Sequence, residues 1–105
     1  MKENISVFIV LLIIVGIPKY SNSYDLIRIL ERNFNFFDPR KIIKEAINLN
    51  FIEENVSSNS TYKITSLGNN FYQQYIKVYG SKILEAYPQE HQFIELMISS
   101  ANKKY

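Results

Sequence analysis

The sequence predicts a mostly helical α+β domain: three helices, a two-stranded antiparallel hairpin, then one or two more helices. Three observations carry that prediction. Apolar residues recur at helical spacing in separate segments before residue 50 and after residue 65. Between them, FIEENVSSNSTYKIT alternates apolar and polar residues around a polar tip. Gly16, Pro18, Asp38-Pro39, Asn50 and Pro88 stand where helices stop or start. With 105 residues, 47% hydrophobic and 21% charged, the chain is sized for one domain with one core. Residues 1–105 are read as that domain, with a core at about 4–80 and a helical extension at about 81–102.

The first element is the apolar run from Ile5 to Ile17, unbroken from Val7 to Val15. A membrane-crossing helix needs about 20 apolar residues, so the run is too short to span. Two readings stay open. One is a buried first helix ended by Gly16-Ile17-Pro18. The other is a signal-like segment, with Lys2 before it and Ser21-Asn22-Ser23 as a small-x-small cleavage site. Glu3 cancels Lys2 and weakens the second reading.

Ser21 or Ser23 is placed to cap a second helix, from about Tyr24 to Asn33, with Asp25 favourable in its first turn. Leu26, Ile27, Ile29 and Leu30 form its apolar face. Asp38 then caps a third helix with Pro39 in the first position, running to about Leu49. Ile42, Ile43, Ala46, Ile47 and Leu49 make its apolar stripe. Lys41, Lys44 and Asn48 follow i, i+3, i+7 along the other side, with Arg40 beside them. Asn50 suits the left-handed position after a helix.

On the hairpin, Ile52 and Val56 flank Glu54, and Tyr62 and Ile64 alternate on the return strand. Ser57 to Ser60 supply the tip. Thr65 or Ser66 caps the fourth helix, and Gly68 in its first turn allows another backbone to come close. Phe71, Tyr72, Tyr75, Ile76, Tyr79 and Ile83 recur at helical spacing to about Tyr87. Pro88 opens a last helix with Phe93, Ile94, Leu96, Met97 and Ile98 as its apolar residues.

Composition excludes several chemistries. The chain has no cysteine and one histidine, His91, so a disulfide framework, a thiol nucleophile and a multi-histidine metal site are ruled out. No Gly-rich phosphate loop, nucleophile elbow or metal-ligand cluster is present, and neither an enzyme nor a cofactor is expected. Twelve basic and ten acidic residues leave +2, which suits a local contact with nucleic acid better than a coat. The abundant Ile, Asn, Lys, Tyr and Phe all have A/T-rich codons, so the tyrosines are not taken as base-stacking residues.

The order of elements is that of the winged helix-turn-helix. GIPKYSNSYDLIRIL resembles the first turn and second helix of PadR-type regulators. DPRKIIKEAINLNFIEEN is similar to a recognition helix and its exit into the first wing strand, with Asn50-Phe51-Ile52 where such families carry Gly-Leu-Ile. YKITSLGNNFYQQY is similar to the closing strand and next helix of PadR and MarR relatives, in an aromatic-x-hydrophobic-Thr-x-x-Gly pattern. The chain departs from them in Ser23 before the second-helix aromatic and in a wing tip without Arg or Lys.

The resemblance implies a cytoplasmic transcriptional regulator that binds double-stranded DNA as a homodimer through its C-terminal helices. In that reading Arg40, Lys41 and Lys44 contact phosphates or guanine edges and Asn48 pairs with adenine. Tyr62, Lys63 or the Ser57 to Ser60 tip reach the backbone. Any one of these basic residues taken alone fits a solvated helix face better than a DNA contact; only their grouping on one helix brings the two readings level. Residues 1–60 balance seven basic against seven acidic side chains, and Glu53 and Glu54 at the wing would repel phosphate. Two alternatives follow: a winged-helix protein-interaction module, and a secreted or membrane-attached protein that has lost residues 1–23. The last would remove the first helix of the fold.

Overall fold

The computed structural model describes the backbone at residues 2–56 and 60–103 and the side chains at 5–56 and 60–101. The elements are α1 (Lys2–Gly16), a 3-10 turn (Pro18–Tyr20), α2 (Ser23–Arg32), α3 (Pro39–Asn48), β1 (Ile52–Asn55), β2 (Thr61–Ile64), α4 (Ser66–Ala86), a second 3-10 turn (Pro88–Glu90) and α5 (His91–Lys103). This is the predicted mostly helical order, with both C-terminal helices present.

The fold is organised around α1. Every residue from Val7 to Val15 is at most 5% exposed. A helix apolar on all sides must be covered on all sides. Here α2, α3, β2, α4 and α5 all pack against it. Phe8 stacks on Tyr72 at 5.2 Å between ring centroids and meets Tyr79 edge-on at 5.6 Å. Gly16 brings α5 closest, because a Cβ there would lie 2.7 Å from the Met97 carbonyl oxygen. Removing residues 1–23 would therefore take out the centre of this core. Among the described residues no helix is long and apolar enough to cross a membrane.

The last two helices share this core, while Leu67 and Val78 of α4 and Leu96 of α5 stay exposed. Tyr72, Tyr79 and Ile83 of α4 and Ile94, Met97 and Ala101 of α5 are all buried in the same core as α1.

Helix caps follow the sequence closely, with one correction. The N-cap of α2 is Asn22, not Ser21 or Ser23; its Oδ1 accepts from the Asp25 backbone N–H at 2.9 Å and its Nδ2 donates to Asp25 Oδ2 at 2.8 Å. The serines are occupied otherwise. Ser21 O accepts from Tyr62 N at 2.8 Å, and Ser23 N donates to Ser60 O at 2.7 Å. The segment before α2 thus pairs with β2, with Asn22 opposite Thr61. Asp38 caps α3 with Pro39 at its start, and Asn50 turns out of it at φ 63°.

The hairpin pairs Ile52 with Ile64, Glu53 with Lys63, Glu54 with Tyr62 and Asn55 with Thr61. Two apolar residues fall outside their expected faces. Val56 lies past the last strand pair and is 75% exposed. Leu49 is the C-cap of α3, beyond the face that Ile43 and Ala46 bury, and is 42% exposed.

Candidate nucleic-acid interface

The surface of interest is made by α3 and the hairpin. Asp38 and Pro39 set where α3 begins, and burial of Ile43 and Ala46 fixes which side faces inward. The opposite side carries Arg40, Lys41, Lys44 and Asn48, all exposed. Arg40, Lys44 and Asn48 line a groove of about 430 Å³ together with Ser23 and Ile27 of α2 and Glu54, Ser60 and Tyr62 of the hairpin. Their spacing is i, i+4, i+8, a gently curving row on one helix face.

The structure divides the expected contact residues into two groups. Arg40, Lys44 and Asn48 come together in the groove. Lys41 is exposed on α3 but does not line it. Lys63 is exposed on β2, opposite Glu53 in register, and borders a different hollow with Pro18 and Ser21. Alternation along β2 separates them, because Tyr62 and Lys63 point to opposite faces. Of the expected wing tip, Ser57, Ser58 and Asn59 lie outside the described residues.

Electrostatically the groove is mixed. Arg40 and Lys44 supply two positive charges and Glu54 one negative. Among the described residues the one ion pair is His91 to Glu95 on α5, at 2.9 Å and exposed. Arg40 and Lys44 are therefore not neutralised within the described fold. Among the described residues there is also no group of three or more His, Asp or Glu that would hold a metal ion.

Sequence reading missed three features here. The pairing of Asn22 with Thr61 is one isolated bridge of two backbone hydrogen bonds and leaves no periodic signature. Asn35 takes φ 57° in the α2–α3 connection, where an Asn invites the left-handed region but does not announce it. Phe37, one residue before the α3 cap, is fully exposed, although its composition suggests burial.

The helices α2 and α3, the hairpin wing after α3, and the short backbone pair between the α1–α2 connection and the wing define a winged-helix-like arrangement. Compared with models of known protein families, with curated proteins and with solved structures, the chain finds no match. The class therefore rests on the fold and is not narrowed to one family.

Proposed function

We propose that this chain is a DNA-binding transcriptional regulator whose α3 enters the major groove. The observation that carries the reading is the exposed row Arg40, Lys44 and Asn48 beside the wing. Arginine and lysine reach phosphate oxygens or the O6 and N7 edge of guanine, and asparagine pairs bidentately with adenine. Lys41 flanks the row and contacts a phosphate outside the groove. Lys63 approaches the backbone from the other side of the wing. The similarity to PadR and MarR segments supports the same reading, as a cytoplasmic homodimer on a palindromic site. Two α3 helices would then lie about 34–36 Å apart, one turn of DNA.

Selection from a random duplex pool tests this. Enrichment of a two-fold symmetric site supports a dimeric regulator, and no enrichment over input contradicts sequence-specific binding.

A second reading is favoured by the wing itself. Glu53, Glu54 and Val56 are exposed there, a surface better suited to a basic protein partner than to phosphate. A charge reversal at Glu53 and Glu54 separates the two. It strengthens DNA binding under the first reading and abolishes partner capture under the second.

A further inference from the structure

We propose that Phe37 is a specificity-determining residue of the DNA interface: its ring packs on the 5-methyl group of a thymine, at the end of the site where α3 begins. This rests on the DNA-binding reading and deepens it with a residue outside the basic row.

Phe37 is 102% exposed, more than any other large hydrophobic residue among those described. A/T-rich codons account for a phenylalanine at this position, but not for its lack of cover. The connection that carries it is otherwise fixed. Phe34 is buried and meets Tyr87 edge-on at 5.0 Å between ring centroids. Phe36 packs edge-on to Phe34 at 6.4 Å, and its backbone N–H donates to Leu30 O at 2.9 Å. Asn35 stands between them at φ 57°. Two of the three phenylalanines thus anchor the connection, and the third is left outside the core.

Folding has a common use for an apolar residue here and does not take it. The residue before a helix cap often packs against the fourth helical residue. With Asp38 as the cap, these two are Phe37 and Ile42. Ile42 packs on the core instead, and Phe37 stays uncovered. It stands at the start of the helix whose exposed side carries Arg40, Lys44 and Asn48. The one carboxylate between Phe37 and Arg40, that of Asp38, is held at the cap, where Oδ1 accepts from Lys41 N at 3.4 Å. Along the α3 axis Phe37 and Asn48 are about 16 Å apart, so they address opposite ends of one half-site. In the major groove thymine alone presents a methyl group, and phenylalanine is one of the side chains that contact it.

The test selects sites from a random duplex pool with the full-length chain and with Phe37→Ser in parallel. The preferred thymine is then replaced by deoxyuridine, which lacks only the methyl group. The unaltered chain should enrich thymine at one position of each half-site, at the end opposite the adenine read by Asn48. Deoxyuridine there should weaken its binding about three- to fivefold, the effect of one methyl group returned to water. Phe37→Ser should lose the preference at that position and bind the thymine and deoxyuridine sites equally. Its thermal melt should coincide with that of the unaltered chain, which separates a change in recognition from a change in folding. No enrichment of any sequence overturns the DNA-binding reading and the role of Phe37 with it. An enriched site without a thymine at that end overturns the role of Phe37 alone. So does a deoxyuridine penalty of equal size in Phe37→Ser. A Phe37→Ser chain that binds the selected site as tightly as the unaltered chain also overturns it and leaves the ring to a protein partner.

Discussion

Thr65 donates its hydroxyl hydrogen to the Asn50 carbonyl oxygen at 2.6 Å. Thr65 Oγ1 in turn accepts the Gly68 backbone N–H at 3.0 Å, and the Thr65 N–H donates to Phe51 O at 3.0 Å. One residue thus caps α4 and ties it to the exit of α3, through both its hydroxyl and its backbone N–H. Thr65→Val should cost about 1–2 kcal/mol, and Thr65→Ser much less. Urea unfolding of both variants checks this. Equal losses would show that the methyl group, not the hydroxyl, is what matters.

Gly68 makes the same junction possible. A Cβ there would lie 2.1 Å from the Phe51 carbonyl oxygen, a backbone atom that cannot swing aside. Gly68→Ala should destabilise the fold by about 2–3 kcal/mol despite alanine's better helix propensity. A thermal melt unchanged or raised by the substitution would mean that α4 and the Phe51 backbone do not meet so closely.

The central position of α1 gives a sharper expectation. Leu12 is fully buried, and Leu12→Ala should cost about 2–5 kcal/mol, a large share of a small domain's stability. A chain beginning at Tyr24 should show no cooperative unfolding, because the apolar faces of α3, α4 and α5 lose the helix they surround. Circular dichroism through a melt decides it. A truncated chain that still melts cooperatively would contradict this core.

The groove separates the basic residues by effect. Arg40→Gln and Lys44→Gln should each weaken DNA binding several-fold more than Lys63→Gln, since Lys63 sits on the other face of β2. Parallel binding curves at one salt concentration rank the three. A dominant Lys63 effect would place the contact on the opposite side of the wing.

Much of the fold was legible in the sequence because its signals are local. Asp38-Pro39, Asn50 and the Thr65-to-Gly68 cap each act within four residues, and each does what its side chain suggests. The misplaced features depend on partners distant in the chain. Asn22 takes the cap because the flanking serine backbones are drawn to β2. How α4 and α5 divide their apolar residues between α1 and the surface was not legible, because an all-apolar α1 gives no hint of how many neighbours it needs. The site was legible as a helix face, but not in its alignment. The 3.6-residue period alone does not tell whether Arg40 or Lys41 turns toward the wing, and packing of Ile43 and Ala46 settles it for Arg40.

The most direct test of the DNA-binding proposal is fluorescence anisotropy of the full-length chain on duplex DNA across a salt series. Arg40, Lys41 and Lys44 in each protomer of a dimer should give a log–log slope of about −5 if all six neutralise phosphates. Reversal to glutamate at Lys41 and Lys44 should remove most of that slope and the affinity with it. Absence of binding at low salt, or a slope untouched by the reversal, would contradict the proposal that α3 engages DNA.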